Sequence, residues 1–181
     1  MVIIGVDYSL SCPAACALGP TFKESKLIFI ANRKRDITSN NILAIPHTDY
    51  TTEQERHDNL SNTIIQFIQN YMAPVVYIED YSFGSKGRIF NIAEATGLFK
   101  HKLHRLGIEL HTVAPTVVKK FATGKGNSDK QAMYNAFVAQ GNPDLMKWYY
   151  DKDVKVGSPV SDIIDAYYIA KYGNTIHKAP D

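Results

Sequence analysis

The chain has 181 residues, 45% of them hydrophobic and 21% charged, with a formal net charge of +2. That length and apolar share suit one compact domain, expected to span 1–181, and they exclude a low-complexity or disordered chain. The apolar opening reaches Asp7 too soon for a secretory leader, and no run approaches the roughly 20 apolar residues of a membrane span, so a soluble, intracellular protein is expected.

Residues 2–7 form a short β-branched run closed by an acid, as expected of a strand buried on both faces. Two further strands are expected at 14–18 and 27–31, joined through a Gly19-Pro20 turn into an antiparallel meander. Cys12 and Cys16 lack the partners of a tetrahedral zinc site and read as small packing residues. Residues 32–50 read as an irregular polar connection. Thr51 or Thr52 then caps a helix whose Leu60, Ile64, Phe67, Ile68 and Tyr71 share one face.

A strand restarts after Pro74 over 75–79. A second helix is expected over 88–106 with Gly107 as its stop, followed by a strand over 108–113. Ser128 is the expected cap of a third helix ending near Gly141, with an irregular excursion from there to Gly157. Ser158-Pro159 opens a last helix that Gly173 is expected to close. Strands first, then alternating strand and helix, predict an α/β fold with a mixed five-stranded sheet flanked by helices, its first and fourth strands lying as parallel neighbours.

The net charge hides an asymmetry. Residues 86–130 hold nine Lys or Arg against three acids, an excess of +6 that leaves the remainder at −4. This distribution fits either a solvated basic face or a polyanion track, and it favours the track only beside a phosphate-processing site.

Such a site is suggested by four acids. Asp7 and Glu79 each end a buried strand, and in open α/β sheets ligands gather at the carboxyl ends of strands. Asp162 and Asp165 sit three apart at the start of the last helix, heading a stripe that turns apolar through Ala166 and Ile169. Acids in a first turn also suit the helix dipole, but two carboxylates facing a packing surface repel and resist desolvation unless a cation compensates. Hard oxygen donors without convergent histidines or cysteines favour Mg²⁺, with Mn²⁺ able to substitute. Two ions per site, bridged by Asp7 and completed by Glu79, Asp162 and Asp165, suit phosphodiester hydrolysis. Asp80 is the local competitor of Glu79, and strand alternation turns it to the other face.

The stretches Ile-Gly-Val-Asp7-Tyr-Ser, Ile-Glu79-Asp-Tyr-Ser-Phe83-Gly-Ser-Lys86-Gly-Arg88, Lys119-Lys120-Phe-Ala-Thr-Gly-Lys125-Gly-Asn-Ser-Asp-Lys130 and Ser-Asp162-Ile-Ile-Asp165-Ala-Tyr resemble the RuvC family of Holliday junction resolvases, especially its phage and viral members. The resemblance implies a ribonuclease H-like fold and a homodimeric crossover junction endodeoxyribonuclease of DNA recombination and repair. It would cut opposing strands of a four-way junction symmetrically, in the cytoplasm, or the host's cytoplasm if phage-encoded. It also implies that Asp7, Glu79, Asp162 and Asp165 are catalytic, that Phe83 helps open the junction, and that Lys119 and Lys130 lie near the cleaved backbone.

From the residues themselves, Phe83, Lys86 and Arg88 suit base stacking and phosphate contact. Lys119, Lys120, Lys125 and Lys130 are candidate DNA contacts, and residues 124–128 suit a phosphate seat at a helix start. The apolar face of the helix over 88–106 is wide enough for a partner surface, or for burial on two sides by its own chain. Rival readings are a nuclease acting on RNA–DNA hybrids, flaps or forks, a noncatalytic junction-binding module, and an actin-like nucleotide-binding protein, for whose two lobes the chain is short.

Overall fold

A computed structural model describes residues 1–31, 39, 41–80, 89–150 and 154–177. The opening β-branched run forms β1 (Ile3–Asp7), which pairs antiparallel with β2 (Ala14–Ala17), itself antiparallel to β3 (Lys26–Ile30). The meander is therefore as expected. Among the described residues, however, the sheet has six strands rather than five, in the order β4-β3-β2-β1-β5-β6. The additional strand, β4 (Ile42–Ile45), adds parallel to β3 inside the stretch read as irregular. Only Ile42 of its four residues is buried, so an edge strand with one anchoring side chain left too weak a pattern to be read.

Helix α1 (Glu53–Asn70) starts at Thr52, whose hydroxyl accepts from the Glu55 amide. It leads into β5 (Val75–Glu79), parallel to β1 as expected, and β6 (Glu109–Val113) extends the sheet in the same direction. Between them, α2 (Ile89–Arg105) buries Ala95, Thr96, Phe99 and Leu103 and leaves Phe90 80% exposed.

The C-terminal part departs from expectation in four places. Helix α3 (Pro115–Thr123) was not foreseen; it is short and has Pro115 in its first turn, with Val118 its buried residue. Helix α4 (Lys130–Ala139) is capped by Asp129, not Ser128, because the Asp129 carboxylate accepts from the Ala132 amide while the Ser128 hydroxyl turns back to Thr123 and the Lys125 carbonyl. The excursion before Gly157 contains a single turn of helix, α5 (Leu145–Tyr149). Finally, α6 (Val160–His177) runs through Gly173 instead of stopping there. A Cβ at that position would collide with the Tyr77 ring, so Gly173 serves close helix–sheet packing.

The sheet separates two cores. Ile4, Val6, Val76 and Ile78 face α1 and α2, while Ile3, Val75 and Tyr77 face α6 and the smaller helices. Helix α6 lies almost on the backbone of β1, because a Cβ on Gly5 would overlap the Ala170 amide and the Ala166 carbonyl. Cys12 and Cys16 are buried on this face and are not joined by a disulfide.

Candidate metal centre

Strand alternation decides where the first two acids point. Ile3 and Val75 belong to the α6 side, so two-residue steps carry Gly5 and Asp7 on β1, and Tyr77 and Glu79 on β5, to the same face. Val6 pairs with Ile78, which brings both acids to the same end of adjacent parallel strands. The seat of α6 supplies the other pair. From Gly5 to Asp7 is two strand residues, about 6.6 Å, and from Ala166 back to Asp162 is four helical residues, about 6 Å. A helix whose Ala166 touches Gly5 thus brings its first turn over Asp7.

The electrostatics bear the marks of this crowding. Burial, followed by the charges of Asp165, Asp162 and Glu79, raises the Asp7 carboxyl well above its ordinary range, while Lys130 acts in the opposite direction. Asp165 is raised to about 7 by burial and then by Glu79 and Asp162, against Lys130 and Lys119. Burial also raises Glu79, with Lys119 drawing it down. Asp162 is 7% exposed, and among the described residues its Oδ2 is buried without a hydrogen-bond partner. Four carboxylates from β1, β5 and α6 therefore share one electrostatic neighbourhood with two lysines.

This donor set fits a hard divalent cation in its chemistry: oxygen donors only, mutual repulsion, and one buried carboxylate oxygen lacking a partner. Among the described residues no group of three His, Cys, Asp or Glu side chains is gathered closely enough to clasp an ion as it stands.

The other predicted positions divide. Lys119 and Lys130 act electrostatically on the acids, and Lys130 Nζ donates to Ser161 Oγ at 3.1 Å. Ser161, unmarked in the sequence reading, sits between that lysine and the neighbouring Asp162, 3.5 Å from its Oδ1; its position directly before the first helix acid was the available signal. Lys120 and Lys125 are exposed. The phosphate seat expected at 124–128 is largely furnished from within: the Lys125 amide donates to Thr123 Oγ1, the Ser128 amide to the Lys125 carbonyl, and Asp129 already caps the following helix. Phe83, Lys86 and Arg88 lie outside the described residues. The basic excess of 86–130 is also not a single track, since Lys102 on α2 is held by Asp58, Ser61 and Asn62 of α1 on the other side of the sheet.

The family profile described as Crossover junction endodeoxyribonuclease RuvC matches residues 20–140, two thirds of the sequence. This chain belongs to the RuvC family. The matched stretch contains Glu79, Lys119 and Lys130 but neither Asp7 nor the α6 acids, which join the group through the fold. Two relatives bear the same name. That of Corynebacterium jeikeium (strain K411) is 28% identical over 81 residues, covering 44% of this chain and 50% of its own. That of Corynebacterium diphtheriae is 29% identical over 89 residues, covering 49% and 53%. The chain thus spans about half the length of the curated relatives it matches.

Among solved structures, Thermus thermophilus RuvC in complex with Holliday junction substrate superposes with a TM-score of 0.62 at 13% identity, covering 99% of this chain and 98% of that one. The yeast mitochondrial Holliday junction resolvase gives 0.54 at 17% identity, covering 93% and 75%. Fowlpox virus resolvase, solved with substrate Holliday junction DNA, gives 0.51 at 17% identity, covering 98% and 100%. At these identities the likeness is one of fold, and the RuvC-family fold here is ribonuclease H-like.

Proposed function

We propose that this chain, acting as a single nuclease domain over 1–181, is a crossover junction endodeoxyribonuclease that resolves four-way DNA junctions by paired, symmetric nicks. The observation that carries this reading is the convergence of Asp7, Glu79, Asp162 and Asp165, with Lys119 and Lys130 beside them, at the carboxyl end of β1 and β5. Membership of the family supports it, as does likeness of fold to two proteins solved with Holliday junction DNA.

Asp7, central to the group, is the proposed bridging ligand between two Mg²⁺ ions, with Glu79, Asp162 and Asp165 completing their spheres and Mn²⁺ able to replace Mg²⁺. Bound there, the ions would supply an activated water and offset charge on the scissile phosphate. Lys119 and Lys130 hold the backbone over the acids, and Ser161 keeps the Lys130 ammonium aimed there. Four carboxylates alone would repel a phosphodiester, so the lysines and the metal charge together make the approach favourable. The exposed Phe90 on α2 supports a homodimer through that helix, which would present two such sites to a substrate of approximate two-fold symmetry. No helix among the described residues is long and apolar enough to cross a membrane, and the proposed place of action is the cytoplasm.

The test is a titration of Mg²⁺ and Mn²⁺ with a synthetic immobile four-way junction, alongside matched fork, RNA–DNA hybrid and duplex substrates. Metal-dependent nicks paired across the junction are expected. Preference for the hybrid would reject the substrate, and tight junction binding without cleavage at any metal concentration would reject the enzyme.

A further inference from the structure

At the sheet end where β1, β3 and β4 finish lies a cavity of about 410 Å³, lined in part by Ser11, His47, Tyr50, Arg56, Ser158 and Pro159. Its volume falls within the roughly 300–1,000 Å³ of ligand-sized clefts. Its walls continue the elements that hold the acids. Ser11 follows β1 four residues after Asp7, and Ser158 precedes α6 four residues before Asp162. Lys119 and Lys130, by contrast, come from α3 and α4.

The lining has a definite chemistry. The Arg56 guanidinium lies 5.3 Å from the centre of the Tyr50 ring, and its Nη2 donates to the Leu10 carbonyl at 2.7 Å. Its acidic neighbour, Glu53, stands 3.5 Å away and is 43% exposed, so the cation is only loosely countered. His47 Nε2 is held 3.0 Å from the Ser11 carbonyl. An aromatic ring, an imidazole and a planar cation around one space offer flat surfaces for a base and positive charge for a phosphate.

We infer that this cavity receives one unpaired nucleotide of the DNA strand lying over the four acids, its base against Tyr50 and its phosphate toward Arg56. The inference rests on the reading of the chain as a junction nuclease and adds a second hold on the strand, from elements other than those that carry Lys119 and Lys130. A cavity of this size excludes a duplex. Its continuity with β1 and α6 favours a nucleotide within the bound strand over a free one. The site thus fixes which phosphate is presented to the acids.

Tyr50 is the residue to change, because it lies outside α1 and is 43% exposed, whereas Arg56 also anchors the loop after β1 through Leu10. Junctions carrying 2-aminopurine at successive positions on each side of the cut are bound to the full chain without divalent cation. One position is expected to show a base unstacked from its neighbours and quenched by the protein. Tyr50→Ala should brighten that position and weaken junction binding by about tenfold, the scale of one base–aromatic stack. Tyr50→Phe should preserve both signals, and His47→Ala should brighten the same position. If Tyr50→Ala and His47→Ala leave the signal at every position and the affinity unchanged while Mg²⁺-dependent junction cleavage persists, the inference fails and the nuclease reading stands. A chain that neither binds nor cuts junctions would sink both.

Discussion

Helices α1 and α6 are both eighteen residues long and both open on acids, yet the acids mean opposite things. In α1, Glu55 Oε2 accepts from the Thr51 amide and hydroxyl at 2.8 Å each, and these bonds lower the carboxyl below its usual value. It completes a solvated cap. In α6, Asp162 is buried and Asp165 half-buried on a helix packed against the sheet, and burial and then neighbouring carboxylates raise the Asp165 carboxyl to about 7. Position in a first turn therefore does not reveal an acid's role. What separates the two cases is first burial, and then whether hydrogen-bond donors or other carboxylates surround the charge.

The contrast breaks most sharply on activity. Asp7→Asn should reduce junction cleavage by more than the roughly 100-fold that outer-shell partners of a metal typically cost, while junction binding measured by mobility shift persists. Glu55→Gln should leave the rate unchanged. Normal cutting by Asp7→Asn would remove the acid group from the chemistry.

Next in size is the seat of α6. Gly5→Ala places a methyl group on the Ala166–Ala170 backbone, and a loss of stability at or above the top of the roughly 1–3 kcal/mol overpacking range is expected in urea unfolding. Cleavage should fall with it, since the helix carries two of the acids. A variant of parental stability would mean that α6 does not rest on β1 as described.

The pH response sharpens the distinction further. The raised Asp165 makes the folded chain hold a proton that the unfolded chain, with an aspartate near about 3.9, has already released. Between that value and about 7 the folded state binds more protons, so stability falls as pH rises through this window. Asp7 and Glu79 shift in the same direction. In EDTA, Tm should drop from pH 5 to pH 8. Mg²⁺ should restore more of it at pH 8 than at pH 5, and Asp165→Asn should flatten the profile. A metal-free Tm that climbs across the window contradicts the crowding of the acids. The smallest effect belongs to the α1 cap: Thr52→Ala should cost about 1 kcal/mol and leave kcat where it was.

Much of the candidate site was legible because strand and helix periods are local. Two buried runs ending in acids, and two acids heading an apolar helical stripe, single out Asp7, Glu79, Asp162 and Asp165 from local pattern alone. Ser161, the β4 edge strand and the cavity beside Tyr50 were not legible in this way. Each depends on residues distant in sequence, as when Arg56 reaches the Leu10 carbonyl or His47 the Ser11 carbonyl.

Local pattern was enough for the order of β1, β2, β3, β5 and β6 and of the long helices α1, α2 and α6, for the face each of those strands turns to either core, and for the acids available to the site, because alternation and helical pitch follow from backbone geometry alone. Long-range packing was needed for glycine at positions 5 and 173 to bring α6 down onto β1 and Tyr77, and so to place two helix acids over two strand acids. It also decided which lysines face that charge and which are held elsewhere. Close approach and charge compensation are properties of pairs, and no single stretch of chain contains both members.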